Sequence, residues 1–124
     1  MYEIEKKDTA PDFIGKIVYL NFSNYKGKSF VSLIVEQSDY LEITKLKFEV
    51  FETKLVEEFT NKKFKLYDYI GLSYKEQSAI NSQTNEQFIK RRVYDTFRVR
   101  PILNLSEYAW KKYAQQVRKS DKFN

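Results

Sequence analysis

The sequence predicts a mostly β domain: a β-barrel built as a five-stranded Greek key, with one internal helix and a C-terminal helix. Three observations predict it. Apolar residues recur with period 2 in five separate stretches, the spacing switches to threes and fours once between the third and fourth of them, and a second helical stripe follows the last. A chain of 124 residues fits one domain, and 42% hydrophobic with 17% aromatic content is enough to fill one core.

Residues 1–12 are a polar leader ending Ala10-Pro11-Asp12 that need not be ordered, 13–103 form the barrel, and 104–124 form a basic C-terminal helix packed on the barrel or extending from it. From Ile14 to Phe22 the alternation of Ile14, Val18, Leu20 and Phe22 against Gly15, Ile17, Tyr19 and Asn21 predicts a first strand, with Gly15 marking a bulge or a bend. Ser23 to Lys28 is a turn in which Gly27 is available for a positive φ, and Val31, Leu33 and Val35 resume the alternation, so the two strands form a hairpin. Leu41 to Thr44 predicts a short third strand. Phe48, Phe51, Leu55 and Phe59 are then spaced 3, 4 and 4, which predicts an amphipathic helix with these four side chains in the core. Period 2 returns from Phe64 to Lys75. Glu76 to Gln87 is polar throughout and predicts a long exposed loop.

The last strand, Phe88 to Arg100, places Ile89, Val93, Phe97 and Val99 on one parity and Lys90, Arg92, Tyr94, Thr96, Arg98 and Arg100 on the other, and Pro101 closes it. Asp68 and Arg91 each interrupt an apolar parity and are expected to pair with one another. In the final helix Leu105, Ala109, Trp110, Tyr113 and Val117 share a stripe.

Absences exclude much chemistry. Without Cys or His there are no thiol nucleophiles, no histidine bases, no disulfides and no zinc sites of the usual kinds, so no enzyme, no cofactor and no metal is expected. Gly-rich phosphate-cradling motifs are missing. No apolar run reaches the ~18 to 20 residues of a membrane span and no secretory leader is visible, so the expectation is a cytoplasmic protein without a membrane partner. Net charge is +5, unevenly placed: from Phe88 onward ten basic residues face three acidic ones, and all five arginines lie there. The planar arginine fork suits phosphate and base stacking, so a polyanion is the expected partner.

In the order of its elements, the chain resembles the OB-fold single-stranded-DNA-binding proteins of phage or mobile-element replication. The resemblance runs from Phe13 to Pro101: a first strand with Gly15 near its start, the Lys26-Gly27-Lys28 hairpin, the amphipathic helix, the strand through Asp68-Tyr69-Ile70-Gly71, and a basic last strand. It implies a barrel that binds nucleic acid across its middle strands and two long loops. It also implies an acidic tail that recruits partners, whereas this sequence ends on basic residues and Lys122-Phe123-Asn124.

Binding single strands without reading sequence needs cations that follow phosphates and aromatic faces on which bases stack. The residues that supply both are Tyr25, Lys26, Lys28 and Phe30 in the hairpin, Lys65, Tyr67, Tyr69 and Lys75 on the fourth strand, and Lys90, Arg92, Tyr94, Arg98 and Arg100 on the fifth. Tyrosine alternating with lysine is equally the pattern of an ordinary solvated strand. The expected function is non-catalytic binding of single-stranded nucleic acid, DNA before RNA, in replication or recombination of a phage or mobile element. The alternative is an accessory subunit that docks a replication enzyme (a DNA polymerase, primase or helicase), with Trp110, Tyr113 and Val117 as partner-binding anchors. Self-association into a homo-oligomer is compatible with either.

Overall fold

The computed structural model describes residues 2–38 and 41–101. The elements are β1 (Tyr2–Ile4), β2 (Phe13–Tyr25), β3 (Lys28–Ser38), β4 (Ile43–Val50), α1 (Thr53–Thr60), β5 (Tyr69–Ile80) and β6 (Gln87–Pro101). The expected C-terminal helix, with Trp110, Tyr113 and Val117, lies outside the described residues.

Strands β2 to β6 close on themselves. Antiparallel pairs join β2 to β3, β3 to β4, β2 to β5 and β5 to β6, and a parallel contact at Glu49 and Arg92 joins β4 to β6. The result is the expected five-stranded barrel with one helix between its third and fourth strands, and β1 is added outside it on β6. Closure at the β4–β6 seam rests on that one registered pair, so the barrel is joined there at a single point of the edge.

The interior follows from alternation. Val31, Leu33 and Val35 of β3, Phe48 and Val50 of β4, and Ile70 and Leu72 of β5 are fully buried. Phe13, Ile17 and Val93 join them, and α1 closes one end with Val56 and Phe59, backed by Phe64. Burying each such side chain contributes about 1.5–3 kcal/mol. Glu58 ties this helix down: its carboxylate accepts from Lys63 Nζ at 2.8 Å and from the buried hydroxyl of Thr96 on β6. The helix ends in a Schellman turn, with Lys62 at φ 62°, its N–H donating to the Phe59 carbonyl and that of Lys63 to the Glu58 carbonyl.

Four expectations are corrected. The helix is shorter than its stripe suggested, because Leu46, Phe48 and Val50 alternate with Lys45, Lys47 and Glu49, so β4 runs on to Val50 and α1 begins at Thr53. Phe48 is core from a strand rather than from a helix. The fourth barrel strand starts at Tyr69, not Phe64, since Tyr67 has φ 73° and breaks any strand there. The long loop at Glu76 to Gln87 is mostly strand: β5 and β6 pair as far as Ile80 and Gln87, leaving only 81–86 as a turn. That stretch reads as a loop because a two-stranded arm solvated on both faces needs no apolar parity; backbone hydrogen bonds hold it.

Part of the polar leader is also built into the fold. Tyr2–Ile4 pairs with Val99 to Pro101, and the segment up to Asp12 straps the outside of β5 and β6. Pro11 packs on Gly71, the Asp12 N–H donates to the Leu72 carbonyl at 2.8 Å, and Lys7 bonds both Asp95 and the Thr96 carbonyl while lying 4.7 Å from the Phe97 ring centroid. Phe97 is therefore fully buried outside the barrel, under this strap. The Tyr2 ring lies 5.3 Å from that of Tyr69, and burial followed by that neighbour raises the Tyr2 phenol pKa.

The expected Asp68–Arg91 pair does not form. The Asp68 carboxylate accepts the Lys65 N–H at 2.9 Å, and Arg91 Nε lies 3.9 Å from Glu76 Oε1 across the β5–β6 arm. Asp68 sits in a turn before the strand begins, so its parity never applied.

Candidate nucleic-acid interface

Antiparallel partners that face each other across a ladder share a side of the sheet. Ser32 opposes Glu49, and Glu49 registers with Arg92, which in turn opposes Lys75. One outer surface therefore crosses β3, β4, β6 and β5 in that order. One step beyond the Val31–Val50 pair, Phe30 and Phe51 meet on the same surface, with ring centroids 4.9 Å apart and planes within 10°. The Arg92 guanidinium carbon lies 4.3 Å from the Phe51 centroid. Two rings and one guanidinium thus form a stacked cluster at the middle of the face.

The cluster continues along the arm. Lys75 Nζ lies 5.9 Å from the Tyr94 ring centroid, and Lys90 Nζ 5.8 Å from that of Phe88. Phe88, Lys90 and Arg92 alternate along β6 and so share a side, at about 6.6–6.8 Å per two residues. At the opposite margin the β2–β3 hairpin turns through Lys26 at φ 51° and Gly27 at φ 80°, the two positive angles of a type I′ turn. Tyr25 is exposed there, with Lys26 Nζ 5.4 Å from its ring centroid.

The structure divides the sequence-derived residues. It brings Phe30, Lys75, Lys90, Arg92 and Tyr94 together, with Tyr25, Lys26 and Lys28 at the hairpin end of the same side. It separates Arg98 and Arg100 from them. Val93 opposes Tyr74 and Asp95 opposes Ser73, so Tyr94 is an extra residue in β6 and the alternation slips there. Arg92 pairs with Lys75 but Arg98 with Ile70, positions of opposite parity on β5, so the two arginines face opposite sides of the ribbon. Arg100 is engaged by Glu3 of β1. Tyr69 is half-buried under Tyr2, and Tyr67 and Lys65 lie in the turn before β5, where Lys16 Nζ is 5.9 Å from the Tyr67 centroid.

Phe51 and Phe88 are the two members that sequence reasoning missed. Phe51 fits a helical stripe by its spacing from Phe48, although the alternation of Lys45, Lys47 and Glu49 places it on the outer parity. Phe88 shares parity with Lys90 and Arg92, a signal that was present in the sequence.

The order around the barrel is β2, β3, β4, β6, β5, with a parallel β4–β6 contact and a helix between β4 and β5. The whole is similar to the structure of a mitochondrial single-stranded DNA binding protein from S. cerevisiae, with a TM-score of 0.50 and 8% identity over 85% of this chain and 97% of that one. The barrel is an OB-fold. No family model and no curated protein matches the sequence, so the likeness is one of fold. In an OB-fold the second and third barrel strands, together with the loops between strands one and two and between four and five, form the face that takes oligonucleotides. Here those parts are β3, β4, the Tyr25–Lys28 turn and the β5–β6 arm, which carry the aromatic and cationic cluster.

Proposed function

We propose that this protein binds single-stranded nucleic acid, DNA in preference to RNA, without catalysing a reaction. The observation that carries the reading is the Phe30–Phe51–Arg92 stack, extended by Tyr94 and Phe88 with Lys75 and Lys90, on the OB-fold's ligand face. A cation lying on an exposed ring contributes about 0.5–1 kcal/mol, whereas a base stacked on it contributes about 1–3 kcal/mol. An arriving base therefore displaces the lysine from Tyr94 or Phe88, and the freed ammonium turns to the neighbouring phosphate. Because every base has a stacking face, this arrangement tolerates any sequence. A place in replication or recombination of a phage or mobile element rests on the resemblance of the sequence pattern to such proteins.

Fluorescence anisotropy of labelled oligo-dT against a duplex of equal length tests the reading. The single strand is expected to bind more tightly, with log K falling by about 0.7 per neutralised phosphate per decade of salt. Equal affinity for the two, or none for either, overturns it. The β6 bulge adds a sharper expectation. Arg92→Glu weakens binding to all sequences alike and lowers the salt slope by about 0.7, while Arg98→Glu, on the other side of the ribbon, leaves the slope in place. Equal losses from the two reversals contradict the division of the cations.

A further inference from the structure

Behind the β2–β3 hairpin lies a second surface of different character. Phe22 opposes Val31 and Ser23 opposes Phe30, so Phe22 points to the side of the hairpin away from the interface. There Leu20, Phe22, Phe59, Phe64 and Leu66 line an open groove of about 430 Å³, within the size range of ligand sites. Phe22 is 52% exposed and Leu66 43%, although both belong to an otherwise apolar wall. The remaining lining residues are Thr60, Lys62 and Lys65, so among the described residues the rim carries two ammonium groups and no carboxylate. The nearby Glu58 is held by Lys63 and Thr96, and the Asp68 carboxylate by the Lys65 N–H.

We propose that this groove docks an acidic, apolar peptide segment of a partner protein, which inserts aromatic or leucine side chains between Phe22 and Leu66 and sets carboxylates against Lys62 and Lys65. Charge complementarity selects the occupant. A basic or neutral segment leaves both lysines uncompensated, and the sequence beyond Pro101 is itself basic, with five Lys and Arg against two Asp and Glu. The turn that presents Lys62 and Leu66 is fixed by the Schellman motif and by two backbone bonds, from the Tyr67 N–H to the Ile17 carbonyl and from the Ile17 N–H to the Asp68 carbonyl, so the groove is formed before a partner arrives.

The test uses the full chain and a fluorescein-labelled synthetic peptide of about sixteen residues rich in Asp, Glu, Leu and Phe, the length of four helical turns. Saturable binding is expected, weakened about tenfold or more by Leu66→Asp and about threefold or more by Lys62→Glu, and weakened likewise when the peptide's acidic residues are replaced by lysine. Excess unlabelled oligo-dT is expected to leave the peptide bound, which separates this site from the single-strand interface whether or not that interface binds DNA. Lys62 is a surface side chain, so its variant reports on the groove even if Leu66→Asp fails to fold. Since the chain contains no Cys, Leu66→Cys supplies a single thiol whose reaction with a disulfide reagent should be as fast as that of an exposed thiol. Unchanged affinity in both Leu66→Asp and Lys62→Glu, displacement by oligo-dT, or a slow Leu66→Cys thiol showing that the chain covers its own groove each overturns the proposal.

Discussion

Replacing Phe51 with alanine is expected to weaken binding of oligo-dT by about one to two orders of magnitude while leaving most of the folding stability in place. The ring is only half-buried, at the end of β4, and its neighbours are Phe30 and the Arg92 guanidinium rather than the core. Removing it therefore dismantles the central platform: Phe30 loses its stacked partner and Arg92 the ring beneath its guanidinium. Three residues earlier, Phe48 is fully buried against Phe13 and Tyr74, and Phe48→Ala is expected to cost about 3–5 kcal/mol of stability. Thermal unfolding and oligo-dT anisotropy on the two variants separate the roles. If Phe51→Ala lowered the melting temperature as far as Phe48→Ala and bound oligo-dT normally when folded, Phe51 would be core and the interface as described would be wrong.

Gly15→Ala is expected to destabilise the protein by about 2–3 kcal/mol, at the upper end of overpacking effects. A Cβ at residue 15 would stand 2.4 Å from the Glu36 carbonyl oxygen and 2.8 Å from its carbon. Those atoms are the backbone of β3, which is paired to β2 on one side and β4 on the other and cannot turn aside as a side chain would. Gly27 is the comparison. Nothing lies near its missing Cβ, but φ is +80°, so Gly27→Ala costs about 1 kcal/mol from backbone strain alone, and Gly27→Asn less. Urea denaturation of the three variants checks the ranking; a Gly15→Ala midpoint equal to wild type would mean that β2 and β3 do not approach this closely there.

Much of the barrel was legible because its physics is local. Val31, Leu33 and Val35 alternate in sequence and are all fully buried, and the Lys26-Gly27 turn needs positive φ where the sequence places glycine. Within the proposed interface, Phe30, Lys75, Lys90, Arg92 and Tyr94 are legible as solvent-side aromatic and basic residues. The local pattern misleads where it is ambiguous or absent. Phe48, Phe51, Leu55 and Phe59 satisfy helical spacing although Phe48 belongs to β4 and Phe51 directly follows its last residue. The polar stretch from Glu76 to Gln87 offers no period at all, since both faces of the arm meet water. Asp68 interrupts an apolar parity only if its segment is a strand, and that segment is a turn.

The sequence by itself determined the class of fold, the order of the five barrel strands and the internal helix, the lack of thiol and imidazole side chains, and the concentration of arginine toward the last strand. These depend on residue type and on spacing over a few positions. Only the tertiary structure decided which of the cations sit together. One extra residue, Tyr94, reverses the alternation of β6, so that Arg92 joins Phe30 and Phe51 while Arg98 faces the other side of the ribbon. A bulge exists only relative to a partner strand, and so does the stacking of Phe30 in β3 on Phe51 just past β4, which the ladder between β3 and β4 brings into register. Parity counted along one chain carries no record of either.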